Sequence, residues 1–383
     1  IRRALETVRR HTGAALVGFL SLDPEGPVPK LIVPEEGQVD THLSRHLTQR
    51  VQQSGQTVWL AADTGADSSD SLGPFADALC LPVTAGGTAL GALHAYRSAA
   101  LFTERHKGTD EFRYELMQNT QIYMGEDANR YRRPIVHNVY REPIDLFDRH
   151  LYEKGSLVLH MVRSVLGDEA WGNAVRHYVQ KHRSTNVTTP DFQRAILEAT
   201  GRNIDWLFDQ YVYGGGHPSF KLAFEWDADA KRAKLAVQQT QDEKDAPVFR
   251  LPLTVDFTVD GKLHSFDVQI AEKLHNFYFT LPGKPQMVRF DPGHNFLKTV
   301  EFKRGKELLA YQLQHDDDVC GRIDAARDLA KLATREAVDA LRTAVQKDPF
   351  WAVQAEAARA LGSVKSAYAL DALLACVKIR HPK

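Results

Sequence analysis

Cysteine is scarce in this chain of 383 residues, which contains only Cys80, Cys320 and Cys376. The three residues lie far apart and form no C-x-x-C pair. This spacing indicates neither a disulfide framework nor a thiolate zinc site. Because such thiols suit a reducing compartment, we expect a cytoplasmic protein.

Long apolar runs and an excess of charge are also absent. No run approaches the ~18 apolar residues of a membrane-spanning helix, and no signal peptide is visible, so we expect no membrane association. The net charge is −1. A nearly neutral chain has no overall field that attracts nucleic acid, so we expect no nucleic-acid partner. The first residue is Ile1 rather than Met, and we expect natural sequence further upstream.

The residues that are present suit a globular protein of several domains. Hydrophobic residues make up 43% of the chain and charged residues 25%, which are ordinary values. The length corresponds to about two to four domains. The period of the hydrophobic pattern changes several times along the chain, and we predict a multidomain α+β protein.

Residues 1–105 have the pattern of an α/β domain. A helix is predicted over 43–55, where Leu43, Leu47 and Val51 share one face. Short apolar or alternating runs predict strands in "ALVGFLSLD" (15–23), "TVWLA" (57–61), "ALCLPV" (78–83) and "AGGTALGALHAYR" (85–97).

This order of elements ends in "LCLPVTAGGTALGALHAYRSAALFTE" and resembles a GAF domain, the small-molecule-sensing module of bacterial regulators. The resemblance implies a GAF-like domain over residues 1–105 that binds a small ligand or mediates dimerisation. Cys80 and His94 lie on its predicted strands. Alternation on a half-buried strand explains both as packing residues.

Residues 107–213 have the pattern of helices alone. Apolar spacing and Gly or Pro punctuation place these helices at 110–124, 143–167, 169–182, 188–201 and 203–213. The stretch "GGGHP" (214–218) ends this group.

Two further patterns complete the chain. Residues 219–304 alternate with period two and predict a small antiparallel sandwich with a turn at Asp260 and Gly261. Farther on, "DAARDLAKLATREAVDALRTAV" (324–345) aligns with "EAARALGSVKSAYALDALLACV" (356–377) at an offset of 32 residues. This repeat predicts an α-solenoid of the HEAT kind. Because such stacks normally need at least three repeats, we expect more of them downstream.

The helical segment contains "RYELMQN" (113–119) and "RYRRPIVHNVYREPIDLFDRHLYEKGSLVLHMVRSVLG" (130–167). With these motifs, residues 107–383 resemble the C-terminal part of the aminopeptidase N family of zinc metallopeptidases. The resemblance implies the helical half of a thermolysin-like catalytic domain at 106–216, a β-sandwich at 217–310 and HEAT-like repeats at 311–383. It also implies a peptide substrate, and the HEAT-like repeats suggest a protein partner.

One residue carries catalytic meaning in this resemblance. The family's tyrosine directly before Glu-Lys-Gly is catalytic, and Tyr152 holds that position here. The resemblance implies that its hydroxyl stabilises the oxyanion of the reacting peptide. It also implies that Gly155 lets the helix pack closely against a neighbour. The alternative interpretation is an ordinary amphipathic helix that carries these charges on its outer face.

The family's zinc motif is missing from these residues. Zinc binding there uses His-Glu-x-x-His, which places both imidazoles on one helical face. His42 and His46 are four apart, but Leu43 stands where the glutamate is needed. His177 and His182 are five apart. We therefore assign no metal ligand, and we interpret "HDDD" (315–318) as a solvated helix start rather than a cation site.

Three functional hypotheses follow from these patterns. The first is an aminopeptidase N-type derivative, fused to a GAF-like domain, that does not hydrolyse peptides as this chain. The second is a ligand-sensing or protein-interaction scaffold that uses the GAF-like and HEAT-like parts. The third is a fusion without a selected function, which the abrupt join between "LFTER" and "HKGTDEF" suggests.

Overall fold

The computed structural model describes residues 16–23, 26–33, 58–61, 77–85, 88–97, 103–104, 107–139, 146, 148–183 and 187–377, and in the first five ranges the backbone alone. The chain divides into two compact units. The second comprises Arg113–Asn138, Glu153–Tyr178 and Thr189–Lys383. The predicted domain boundaries at residues 105, 216 and 310 stay predictions.

The described N-terminal strands form one five-stranded antiparallel sheet in the order β2-β1-β5-β4-β3. The strands are β1 Leu16–Asp23, β2 Gly26–Val33, β3 Val58–Ala61, β4 Asp77–Ala85 and β5 Thr88–Arg97. All four predicted strands are present. Strand β2 was not predicted, because Pro27 and Pro29 are typical of a loop. Cys80 and His94 are register partners, whereas the predicted helix at 43–55 lies outside the described residues.

Among the described residues of 107–213 there are five α-helices, and their ends confirm most of the predicted limits. They are α1 Thr109–Asn129, α2 Glu153–Leu166, α3 Asp168–Lys181, α4 Thr189–Thr200 and α5 Asp205–Tyr211. Gly167 (φ 80°) and Gly201 (φ 68°) adopt the left-handed conformation after α2 and α4, as helix stops require. The ring of Phe192 on α4 lies 6.2 Å from Trp171 on α3 and 6.1 Å from Phe208 on α5.

The helix predicted over 143–167 begins ten residues later, at Glu153. Residues 148–152 form a turn instead. The Oδ1 of Asp148 accepts the Leu151 N–H at 3.0 Å, and its carbonyl oxygen accepts the Tyr152 N–H at 3.2 Å. These two hydrogen bonds are those of a helix N-cap, so Asp148 marks the start of the turn that leads into α2. Tyr152 lies in this turn, directly before α2.

Residues 219–302, here called the two-sheet region, contain seven strands. These are β6 Ser219–Asp227, β7 Arg232–Gln239, β8 Leu251–Val259, β9 Lys262–Ile270, β10 Leu274–Thr280, β11 Met287–Phe290 and β12 Thr299–Phe302. Their orders are β10-β7-β6-β12 and β11-β8-β9. The predicted turn is confirmed, since Asp260 (φ 49°) and Gly261 (φ 73°) both have positive φ. Strand β12 pairs parallel to β6, so a purely antiparallel arrangement is wrong.

Aromatic side chains form the core of the two-sheet region. The ring of Phe257 on β8 lies 5.0 Å from Phe279 on β10 and 6.0 Å from Phe266 on β9. These three residues come from both sheets, so the sheets meet through their aromatic faces.

Helical repeats complete the described chain. The helices are α6 Lys306–His315, α7 Val319–Leu332, α8 Arg335–Lys347, α9 Trp351–Ser363 and α10 Ala367–Cys376. The pair α7 and α8 corresponds to the pair α9 and α10, as the 32-residue offset predicted. The matched residues Leu329 and Leu361 are both buried in the shared core. Among the described residues, no helix combines the length and hydropathy needed to cross a membrane.

Arg289 on β11 links the two-sheet region to the helical repeats. Its Nη1 donates to Asp316 Oδ1 at 2.7 Å and to Asp317 Oδ1 at 2.5 Å. Its Nη2 donates to Asp256 Oδ2, on β8, at 2.9 Å. The guanidinium thus bridges a sheet and the segment between α6 and α7.

The interpretation of "HDDD" as a solvated helix start is half wrong. Asp318 does begin α7, because its side chain accepts the Cys320 N–H at 3.0 Å. However, of the three aspartates, Asp316 and Asp318 are buried and Asp317 is exposed. Burial raises the pKa of Asp316, although Arg289 opposes the shift. The sequence could not reveal this arrangement, because the guanidinium comes from a strand 27 residues earlier.

We predict that Arg289→Met lowers the free energy of unfolding by about 3–5 kcal/mol at pH 7, because Asp256 and Asp316 lose their buried cation. The deficit should shrink in acid, where the carboxyl groups become protonated. Urea unfolding across pH measures both effects. Asp317→Asn is the matched control, since Asp317 is exposed, and should change stability little. A loss below about 1 kcal/mol for Arg289→Met would contradict this role of the guanidinium.

Candidate functional site

Lys154 lies in the first turn of α2 and is completely buried, at 0% exposure. It shares the buried face of the helix with Leu157, Val158 and Met161. Its Nζ donates a hydrogen bond to the carbonyl oxygen of Gly214 at 3.2 Å. The same nitrogen lies 5.8 Å from the ring centroid of Tyr123 on α1. The ammonium group therefore ties the start of α2 to the "GGGHP" loop and to α1.

Asp127 on α1 is the carboxylate of this cluster. Its Oδ1 accepts the Tyr123 hydroxyl at 3.2 Å, and its Oδ2 accepts Arg132 Nε at 2.9 Å and Nη2 at 2.6 Å. The Nδ1 of His217 lies 3.4 Å from the Tyr123 hydroxyl. Tyr123, Asp127, Lys154 and His217 are buried, and Arg132 is exposed. We call these five residues the buried polar network.

The "GGGHP" loop connects α5 to β6 and fits closely against this network. A Cβ on Gly214 would lie 2.5 Å from the carbonyl oxygen of Gln210. Gly216 has φ +77°, and a Cβ there would approach the Arg132 side chain to 3.3 Å. The close approach requires glycine at position 214, and the positive φ favours glycine at position 216. The loop can therefore present the Gly214 carbonyl oxygen to Lys154.

Burial decides the protonation of the network. Desolvation lowers the pKa of Lys154 to about 7, although Asp127 opposes the shift. Desolvation likewise lowers the pKa of His217 to about 4, again against Asp127. Burial and the nearby Asp127 both raise the pKa of Tyr123. At neutral pH, His217 is therefore neutral, Tyr123 keeps its proton, and Lys154 is close to its midpoint.

Tyr152 precedes Lys154 by two residues and is half-buried. Its assignment as catalytic stays a prediction. The structure adds the anchored lysine, which sequence reasoning missed. One signal was present, because Lys154, Val158 and Met161 follow helical spacing and place the lysine on the apolar face.

The other sequence candidates have different outcomes. A Cβ on Gly155 would meet no described atom within 4 Å, so close packing at this glycine stays a prediction. His177 Nε2 lies 2.8 Å from Glu198 Oε2 in an exposed pair between α3 and α4. His42 and His46 lie outside the described residues.

Zinc is expected for the family that the sequence resembles, but the ligand motif of that family does not occur in this sequence. None of the 16 histidines is followed by glutamate, so His-Glu-x-x-His does not occur in these 383 residues. His177, which heads the described histidine pair, is bound to Glu198. We therefore derive no catalytic step through a metal.

We predict that Lys154 produces an alkaline rise in stability. Between pH 7 and about 10.5 the unfolded chain keeps a lysine proton that the folded chain has lost. The free energy of unfolding therefore rises with pH in this window, by at most about 1.4 kcal/mol per pH unit. Lys154→Met should remove this rise. Chemical unfolding at several pH values measures it.

His217→Gln is the control for Lys154→Met and tests the pH dependence of stability on the acid side. Between pH 6.5 and about 4 the unfolded chain binds a histidine proton that the folded chain does not. Stability therefore falls as the pH falls through this window. His217→Gln should remove only this acid limb, and Lys154→Met only the alkaline one. An alkaline rise that persists in Lys154→Met would show that this lysine is not desolvated in solution.

Comparison with known proteins gives two family matches. Residues 93–211 match the Peptidase family M1 domain, and residues 307–382 match HEAT repeats. The first match begins at residue 93, within β5, whereas the sequence resemblance begins at residue 107.

Similar proteins are aminopeptidases. The probable aminopeptidase 1 of Sulfurisphaera tokodaii is 25% identical over 171 residues, covering 44% of this chain and 21% of that protein. Aminopeptidase N of Escherichia coli is 22% identical over 228 residues, covering 54% and 25%. That of Lactococcus lactis is 36% identical over 74 residues, covering 19% and 9%. The chain thus spans about a quarter or less of these relatives.

A solved structure supports the fold. Aminopeptidase A of Legionella pneumophila, in complex with aspartic acid, has a TM-score of 0.57 at 15% identity and covers 72% of this chain and 33% of that one. Residues 93–211 are thus similar to part of a Peptidase family M1 domain and residues 307–382 to HEAT repeats, and the chain resembles aminopeptidase N over a fraction of that protein's length.

Proposed function

We propose that this chain derives from an aminopeptidase N-type zinc metallopeptidase and carries the part of the catalytic domain that stabilises the oxyanion. The observation that carries the proposal is the segment "LYEKG", in which Tyr152 directly precedes α2 and Lys154 is anchored to Gly214. The aminopeptidase names of the relatives support a peptide as the substrate class.

Tyr152 is the catalytic residue of this proposal. Its hydroxyl would donate a hydrogen bond to the peptide carbonyl oxygen as that atom gains negative charge. A group with this task must reach substrate, and a half-buried side chain in a turn is compatible with that requirement. The buried polar network would act on it indirectly, by fixing the helix that starts at the next residue.

We also propose that these residues alone do not hydrolyse peptides. Bound zinc supplies an activated water in the family. The absence of His-Glu-x-x-His from the sequence supports this part of the proposal. It does not affect the proposed role of Tyr152, because an oxyanion donor and a metal ligand are separate groups.

The remaining parts would add binding surfaces. We propose a GAF-like domain at residues 1–105, supported by the five-stranded antiparallel sheet of β1 to β5, and a β-sandwich at 217–310, supported by the aromatic contacts between the two sheets. The alternative function is a scaffold that senses a ligand or binds proteins. The HEAT repeats favour it, since stacked helix pairs offer extended surfaces. The cytoplasm remains the proposed compartment.

The direct test measures zinc content and hydrolysis of aminoacyl p-nitroanilides by the purified chain. We predict less than stoichiometric zinc and no turnover above background. Stoichiometric zinc together with turnover that a chelator abolishes would overturn the proposed inactivity. A chimera that joins the upstream half of Lactococcus lactis aminopeptidase N to residues 107–383 then tests Tyr152.

In this chimera we predict that Tyr152→Phe lowers turnover by roughly 10²–10³, the scale of one oxyanion donor. The same substitution in the original chain should change the free energy of unfolding by no more than about 0.5 kcal/mol. Tyr213→Phe is the matched control, because it removes a hydroxyl that donates to Gln193 outside the buried polar network. It should change the free energy of unfolding by about 0.5 kcal/mol or less and leave turnover intact. Equal turnover in both chimeric variants would end the catalytic interpretation of Tyr152.

A further inference from the structure

The two sheets of the two-sheet region have four edge strands, and β10 differs from the others. Strand β11 packs against α6. Strand β12 has four residues, including Glu301, and β9 carries Lys262 and Asp267. Strand β10, "LHNFYFT", has seven residues without Asp, Glu, Lys, Arg, Pro or Gly. Charge, proline and short length are the usual protections of an exposed edge, and β10 has none of them.

The backbone of β10 presents a regular row of groups on its outer side. Gln239 N–H donates to the Lys273 carbonyl oxygen at 2.8 Å, and Leu281 N–H to that of Lys231 at 3.1 Å. Odd-numbered residues of β10 therefore bond to β7, and antiparallel pairing alternates. The N–H and C=O groups of the four even-numbered residues point to the open side: Leu274, Asn276, Tyr278 and Thr280.

Two of the accessible side chains on this strand are large and hydrophobic. Leu274 is 53% exposed and Tyr278 is 57% exposed. Phe277 is half-buried, and the His275 ring stacks on it at 5.3 Å with an interplanar angle of 9°. A partner strand would cover the open side of Phe277 while bonding the outward backbone groups.

We propose that β10 pairs antiparallel with β10 of a second copy of this chain, across a twofold axis at Phe277. In this register Leu274 lies opposite Thr280 and Asn276 opposite Tyr278 of the other copy. All four outward residues of each copy then exchange hydrogen bonds, about eight in total. The two Phe277 rings become cross-strand neighbours. Two four-stranded sheets become one of eight strands.

The sequence of the strand favours a second copy as the partner. A twofold pairing brings like charges of the two copies close together wherever the strand carries a charge. Strand β10 carries no Asp, Glu, Lys or Arg, so its pairing with a second copy meets no such repulsion. Lys273, which directly precedes β10, is held by Glu243 of its own chain at 2.6 Å and would face Leu281 of the other copy. A seven-residue edge gives a small contact, so the dimer should depend on concentration.

Two measurements on the full chain test this pairing. Sedimentation equilibrium between about 5 and 500 μM should show a monomer converting to a dimer by mass action. Hydrogen exchange at both ends of this range should show protection appearing at amides 274, 276, 278 and 280, whereas amides 275, 277 and 279 are protected throughout. A monomer at every concentration would overturn the proposal. A dimer whose new protection lies elsewhere, for example on α10 at Leu370 and Leu374, would also overturn it.

Substitutions at the outward positions test the register. Asn276→Pro removes an outward N–H and should abolish the dimer, and Asn276→Ala, which keeps the N–H, should not. Because proline can disturb folding, charge pairs provide a second test. The double variants Asn276→Lys with Tyr278→Lys, and Asn276→Glu with Tyr278→Glu, should each be monomeric alone. Their equimolar mixture should dimerise, since positions 276 and 278 of opposite copies then attract. A mixture that stays monomeric while the original chain dimerises would overturn this register.

Discussion

The arrangement of the second unit depends on a buried guanidinium, that of Arg289. It joins Asp256, on β8, to Asp316 and Asp317, between α6 and α7. A charge this deep is favourable only while its carboxylate partners are in place. The contact therefore specifies how the first helices of the solenoid meet the sheet, more than it adds stability. Arg322 extends the same arrangement into the repeats, because it binds Asp348 at 2.8 Å and the carbonyl oxygen of Asp316 at 2.8 Å.

The buried polar network applies the same chemistry on a smaller scale, with a different result. Arg289 has three carboxylates, whereas Lys154, Arg132 and His217 share Asp127 as their carboxylate within the network. Arg132 binds Asp127 directly, so Lys154 is left with a backbone carbonyl oxygen and an aromatic ring. This unequal distribution explains why burial lowers the pKa of Lys154 to about 7. Residue type and position both separate the firmly charged guanidinium from a lysine near its midpoint, since arginine has the higher intrinsic pKa and Arg289 also has three carboxylate partners.

Local sequence signals predicted the elements whose causes are local. Glycine stops, the Asp260 and Gly261 turn and the 32-residue repeat each depend on a few neighbouring residues, and all are present in the structure. Contacts between distant residues could not be predicted in this way. The Arg289 cluster spans strands and a helix start, and Lys154 bonds a residue 60 positions away. For the candidate site, the sequence suggested Tyr152, whose catalytic role stays a prediction, but it did not reveal the buried polar network. The start of α2 was predicted too early because the cap-like hydrogen bond from the Leu151 N–H to the Asp148 side chain, which marks the turn before this helix, was missed.

The position of the anchored lysine bears on how the tyrosine could work. A catalytic hydrogen-bond donor must be held in place without being enclosed, because substrate has to reach it. Rigid support two residues away meets both needs, since Lys154 fixes the first turn of α2 from inside the fold while Tyr152 remains outside that turn. The glycines of the "GGGHP" loop belong to the same support, because their close approach to Gln210 and Arg132 places the accepting carbonyl oxygen. The support is complete within the second unit and contains no metal ligand of the family's motif. It can therefore persist whether or not zinc chemistry accompanies it.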